Sequence, residues 1–265
     1  MNMRILLLIF CISCSNKVIE PLTNAHAHND YEHDRPLFDA LDNGFTSVEA
    51  DVHMIDGKLY VSHDIPESLS QVKTLEELYL SPLLKHVNNN NGRVYENHNG
   101  FFYLMIDIKT LADYSYPVLR KTLAKYSEMI SVVTDSIDQD NKPIKIFISG
   151  HHGRPFTQLL NDSIKYAGLD GRPKELKDNI PSALMPVISQ NYKKYLTWKG
   201  TGNPDENELE SLKEMIDLAH DQNKMVRLWA APDKPVVWDL LLKTGIDFIN
   251  TDDLEGLREF LVKRN

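Results

Sequence analysis

Cysteine is nearly absent from this 265-residue chain: Cys11 and Cys14 are its two, both close to the N-terminus. A cysteine nucleophile or an internal disulfide is therefore excluded for everything downstream. Basic residues are too few to offset the acids, and the formal net charge is −9. No run of Lys and Arg makes a local patch, so nothing draws the chain toward nucleic acid or anionic lipid. No apolar run approaches the roughly 20 residues a bilayer crossing needs. A glycine-rich dinucleotide fingerprint, a nucleophile elbow and a His-Glu-x-x-His helix are all missing.

The first residues, "MNMRILLLIFCISCSNK", hold one basic residue and an apolar run from Ile5 to Ile12. That run is too short to span and fits the apolar stretch of a secretory signal. "CISC" places Cys14 after Ser13 and resembles the lipobox of bacterial lipoproteins, although Ile12 stands where a small residue is usual. The expectation is a leader and tether over residues 1–17. It implies export, a bacterial envelope lipoprotein at the periplasm or cell surface, and membrane contact only through a lipid anchor at Cys14. A plain cleaved signal or a buried first strand are the alternatives.

From residue 18 to 265 the apolar period switches repeatedly between two and 3.6. "PLTNAHA", "FTSVEADVHM", "FFYLMIDIK", "PIKIFISG", "KMVRLWAA" and "IDFINT" read as strands, and "SIKYAGLDG" and "ALMPVISQ" as two more. "RPLFDALDNG", "KTLEELYLSPLLKHV", "YSYPVLRKTLAKYSEMI", "NELESLKEMIDLAHDQN", "KPVVWDLLLKTG" and "DLEGLREFLVK" read as helices. "IDGKLYVSHD" adds an Asp-Gly turn and an extended return. About eight strands, each followed by a helix or a replacement for one, predict an α/β fold: a single-domain (β/α)8 TIM barrel, with an open doubly wound sheet as the alternative.

In such a barrel the chemistry sits at the C-terminal ends of strands. Strand alternation puts Glu49, Asp51 and His53 on one face and Val48, Ala50 and Val52 on the other. Burying unpaired carboxylates costs on the order of several kcal/mol each, so this row calls for a cation. His63 and Asp64 end the extended return, and Asp107 and Lys109 lie late in "FFYLMIDIK". His151 follows the next strand in "SGHHG"; Arg227 and Trp229 share a face of the penultimate strand. Asp252, in "NTDD", is expected to cap the final helix. The hard, oxygen-rich set suits one divalent cation, Mg²⁺ or Ca²⁺. A cation beside histidines suits attack at phosphorus, since imidazole can give or take a proton near neutral pH.

The stretches "HAHND", "SVEADV", "DGKLYVSHD", "LMIDIK" and "VRLWAAPDK…TGIDFINTDD" resemble the superfamily of glycerophosphodiester phosphodiesterases and phosphatidylinositol-specific phospholipases C. The wording is most similar to a bacterial and fungal branch that includes altered inheritance of mitochondria protein 6. The resemblance implies a (β/α)8 barrel that cleaves a glycerophosphodiester or phospholipid-headgroup-like substrate with a metal and two histidines. It implies Glu49, Asp51 and Asp107 as metal ligands, with Asp107 where a glutamate is usual. His63 would be the second catalytic histidine, and either His26 or His28 the first. Asn29, Lys109, His151 and Trp229 are the candidates for substrate contact. The arginine that follows the first histidine in glycerophosphodiesterases is absent, as Ala27 and Asn29 stand there. That departure keeps a non-catalytic phosphate-binding barrel as the alternative. A metal-dependent amidohydrolase, suggested by His-x-His at 26–28, would need histidines ending strands five and six, and the sequence supplies none.

Overall fold

The apolar side of "FTSVEADVHM" is covered by helices: in the computed structural model, which describes residues 19–134, 142–150 and 153–264, Val48, Ala50 and Val52 are fully buried. They belong to β2 (Phe45–Ile55). The other strands are β1 (Leu22–Ala27), β3 (Lys58–Val61), β4 (Phe102–Ile108), β5 (Ile144–Gly150), β6 (Gly168–Gly171), β7 (Val187–Asn191), β8 (Met225–Trp229) and β9 (Phe248–Thr251). Eight of them pair in parallel in the order β1-β9-β8-β7-β6-β5-β4-β2, and β1 pairs with β2 to close the ring. β3 lies antiparallel on β2, turned back by Asp56 and Gly57 at φ 49 and 74, the left-handed pair a two-residue hairpin needs. The (β/α)8 barrel expected from the alternation is the fold.

Among the described residues six α-helices run between strands and a seventh follows β9: α1 (Phe38–Asp42), α2 (Ser81–Asn89), α3 (Ala112–Ala124), α4 (Phe156–Asn161), α5 (Glu206–His220), α6 (Pro235–Thr244) and, last, α7 (Leu254–Arg264). Asp205 caps α5 by accepting the N–H groups of Asn207 and Glu208 at 2.9 and 3.1 Å. Gly245, at φ 96, ends α6. The α7 cap differs from expectation. Asp253, not Asp252, accepts the Gly256 N–H, at 2.9 Å, which leaves Asp252 free for another partner.

Two apolar layers hold the barrel. The larger lies between strands and helices and includes Ile106, Ile148, Leu169, Ile188 and Leu228. The smaller, Met105, Phe147, Val187 and Phe248, plugs the interior. Register places a polar layer above this plug. Glu49 stands beside Met105, Asp51 beside Asp107, Asp107 beside Ser149, Ser189 beside Arg227, and His26 beside Asn250. The strands therefore lift a ring of polar side chains toward the mouth.

The turn after β1 is braced from below. Leu37 is buried at φ 66, a conformation disfavoured for a side chain with a Cβ. Its N–H donates to Asp30 Oδ2 at 2.6 Å, and Tyr79 donates its hydroxyl to the same oxygen at 2.9 Å. Burial pushes the Asp30 carboxyl up to about 6, against both donors. The folded pKa thus lies above the unfolded one. Asp30 favours folding below about pH 4, and this contribution is lost as pH rises through about 6, a difference worth about 3 kcal/mol. Asp30→Asn is expected to flatten this part of the profile. In thermal melts, the variant's Tm relative to the parent should be higher at pH 7 than at pH 4; a constant difference would contradict the assignment.

Candidate active site

A cleft of about 730 Å³ opens at the C-terminal end of the barrel, lined by His28, Glu49, His53, His63, Asp107, Lys109, Ser149, Arg172, Arg227 and Trp229 among others. A larger groove, about 980 Å³, runs along the flank between β3 and α3. Its lining includes Lys58, Lys73, Lys121 and Lys125 but no histidine, and it lies away from the strand ends, so the chemistry is read at the mouth.

Glu49, Asp51 and Asp107 converge there. Each offers a carboxylate oxygen, and the three oxygens lie within 4.8 Å of one another. Lys109 Nζ sits against two of the three, 2.6 Å from Asp107 and 2.8 Å from Asp51. Burial works against the Lys109 cation, but the charges and hydrogen bonds of Asp107 and Asp51 outweigh it and raise its pKa. Asp51 Oδ2 accepts from Lys109, from the Tyr31 hydroxyl at 2.7 Å and from His63 Nδ1 at 3.0 Å. Burial and the charge of Glu49 push the Asp51 carboxyl up. Its Oδ1 is buried without a hydrogen-bond partner. A buried, unsatisfied carboxylate oxygen beside two further carboxylates fits a divalent cation. The triad can bind a metal, and its all-oxygen donor set is a hard one.

His26 and His28, two residues apart, have opposite environments. His26 is fully buried. Arg227 Nη1 lies 2.9 Å from its Nε2; a guanidinium can only donate, so Nε2 accepts and Nδ1–H donates to Ser47 Oγ at 2.7 Å. His26 is thus neutral, and its 3.4 Å contact with Glu49 is not an ion pair. Burial, then the charge of Arg227, pushes its pKa down to about 4, in agreement. The pair that matters to Glu49 is with Arg227, at 2.9 Å. Burial alone would raise the Glu49 carboxyl, but the charge of Arg227 holds it well below the usual range.

His28 lies past the end of β1 and lines the cleft, 29 % of its side chain exposed. Its Nδ1 sits 2.7 Å from Asp252 Oδ1, the partner that Asp252 takes instead of capping α7. Burial opposes its cation, yet the Asp252 hydrogen bond and the charges of Glu49 and Asp252 prevail, and its pKa rises. His63 is more than half exposed, with Nδ1 turned to Asp51. His53 Nε2 donates to the His63 carbonyl at 3.2 Å and so braces that loop.

Of the residues singled out in sequence, Asn29, Lys109 and Trp229 also line the cleft. Asn29 sits at φ 45, a left-handed turn position that asparagine tolerates. His151 lies outside the described residues. Sequence reading missed Arg227 as the partner of Glu49, Asp252 as the partner of His28, and Arg172 altogether. Arg172 stands at the head of "RPKELKDNIPS", a stretch that reads as poorly structured or as a shortened helix. In the fold, Pro173–Asp178 form a short 3-10 helix, and Glu175 accepts the Arg172 N–H at 2.8 Å.

Residues 15–166 match the AIM6-like phosphodiesterase domain. The chain is 26 % identical to an altered inheritance of mitochondria protein 6 homolog of Arthroderma benhamiae, over 89 % of this chain and 82 % of that protein. It is 27 % identical to altered inheritance of mitochondria protein 6 of Kluyveromyces lactis, over 90 % and 72 %. Its fold is similar to that of a glycerophosphodiester phosphodiesterase from Parabacteroides distasonis (TM-score 0.60, 17 % identity, 92 % of this chain and 99 % of that one).

The fungal relatives correct one expectation. The bacterial envelope lipoprotein, with its signal peptide, exported location and lipid anchor at Cys14, is withdrawn, because these relatives are eukaryotic proteins. An eight-residue apolar run before a cysteine is a short pattern that carries little information about compartment. Residues 1–17, on which it rested, lie outside the described residues.

Proposed function

The chain belongs to the AIM6-like phosphodiesterase domain family, and from that premise we propose that its mouth is a metal-dependent phosphodiesterase site with His28 and His63 as its acid–base pair. The substrate class is a glycerophosphodiester or a phospholipid-headgroup-like diester. The single observation that carries this reading is the convergence of Glu49, Asp51 and Asp107 in a cleft that also holds His28 and His63, each with its Nδ1 on a carboxylate.

His63 keeps its Nδ1 hydrogen on Asp51, so the neutral ring has its lone pair on Nε2. That nitrogen is the base for the attacking hydroxyl. His28 has a raised pKa and an anchoring carboxylate, and it protonates the departing oxygen. His26 is not the first catalytic histidine: it is neutral, fully buried and held at both nitrogens. Its part is to position Arg227, and through it Glu49. Glu49, Asp51 and Asp107 would hold a Mg²⁺ or Ca²⁺ ion, which when bound supplies positive charge to the phosphate oxygens. Trp229 offers an exposed indole face at the cleft wall, suited to the organic part of the substrate.

The test is turnover of bis(p-nitrophenyl) phosphate by the full chain after chelation and after return of Mg²⁺ or Ca²⁺. Activity is expected to vanish on chelation, to return with one of the two ions, and not to return in Asp51→Asn. Turnover that survives chelation would remove the metal from the reading. A parent chain that binds the ion but cleaves no diester would favour the phosphate-binding barrel.

A further inference from the structure

Three basic side chains line the cleft among the described residues: Lys109, Arg227 and Arg172. Lys109 is engaged by Asp51 and Asp107. Arg227 is 4 % exposed, with Nη1 against Glu49, Asn250 and His26 and Nε on Ser189. Both spend their charge inside the polar layer. Arg172 is also paired, with Asp170, but it is the most open of the three: 28 % of its side chain is exposed, and it lines the cleft. We propose that Arg172, at the exit of β6, is the guanidinium that grips a non-bridging oxygen of the substrate's phosphate. The proposal rests on the phosphodiesterase reading and supplies the positive group missing after the first histidine.

The geometry supports a fixed fork. Nη1 donates to Asp170 Oδ2 at 2.6 Å and to the Gly171 carbonyl at 2.9 Å; Nη2 donates to Ser149 Oγ at 3.2 Å. Ser149 is the register partner of Asp107, so the guanidinium reaches to within one strand of the acidic triad. Arg154 braces the same turn, donating to the Asp170 carbonyl at 2.6 Å and to Glu175 at 2.7 Å, while Glu175 holds the Arg172 N–H. Asp170 is fully buried, so its carboxylate holds the Arg172 guanidinium in one place at the cleft edge. A planar guanidinium with five donors, two sides of which are anchored, loses little entropy on meeting a phosphate and can bind it in forked geometry.

The experiment compares the Mg²⁺-loaded parent, Arg172→Met and Arg172→Lys in two readouts: calorimetric binding of inorganic phosphate and hydrolysis of bis(p-nitrophenyl) phosphate. Arg172→Met is expected to lower phosphate affinity and kcat/KM each by about 10- to 100-fold, the usual range for a lost charged contact. Arg172→Lys should recover part of the affinity, and it keeps a cation on Asp170 if the methionine variant does not fold. A folded variant that binds phosphate as the parent does would overturn the proposal, as would a parent that binds no phosphate. If the parent cleaves no diester yet phosphate binding still falls in the variants, the catalytic reading fails and the assignment of Arg172 stands. If cleavage is normal in the parent and unchanged in both variants, the assignment fails alone.

Discussion

His63→Ala is expected to lower kcat on a phosphodiester by about 10³-fold while KM stays near the parent value. The ring is more than half exposed and is not part of the core, so the fold should persist. What is lost is the proposed base, whose Nδ1 lies on Asp51, the carboxylate that Tyr31 also holds. His28→Ala should behave differently. A p-nitrophenolate leaves without much help from an acid, whereas an alkoxide does not. The variant should therefore lose far more activity on an alkyl diester than on bis(p-nitrophenyl) phosphate. Equal losses on both would contradict the acid role, and full turnover in His63→Ala would remove it as the base. Steady-state kinetics on two diesters with different leaving groups, backed by a melting curve for each variant, decides both points.

Arg227→Met should cost stability as well as activity. Its guanidinium is buried and is the counter-charge of Glu49, which is itself buried. Removing one partner of such a pair leaves an uncompensated charge and costs about 3–5 kcal/mol. For a domain of this size that is a fall in Tm of about 10 °C. The second variant that tests the cause is Arg227→Met combined with Glu49→Gln, which should recover part of the loss, because the orphaned charge is gone. Urea or thermal unfolding of the two single variants and the double variant reads this directly. An additive double variant would mean that Arg227 matters through packing rather than through Glu49.

These two sets of residues also mark how far the sequence could be read. Glu49, Asp51 and Asp107 were legible because strand alternation is local: period two sets their face whatever the rest of the chain does. The Asp56-Gly57 hairpin and the helix–strand alternation are equally local, and the barrel followed from them. His26 and His28 were not separable, since both occupy the same parity of one short strand. The difference arises because β1 ends at Ala27 and His28 emerges above it. Asp252 and Asp253 posed the same difficulty, two adjacent carboxylates of which only one turns toward the helix.

Local pattern by itself determined the element types, their β/α alternation and the acidic face of β2, because backbone period and side-chain polarity act over a few residues; closure of the sheet was decided by the pairing of β1 with β2. Tertiary structure alone decided the partners: Arg227 meets Glu49 from 178 positions away, and His28 meets Asp252 across 224. Barrel closure, which brings β8 and β9 round to β1 and β2, creates those contacts. The electrostatics that distinguish a neutral buried imidazole from an exposed, protonatable one come into being only then.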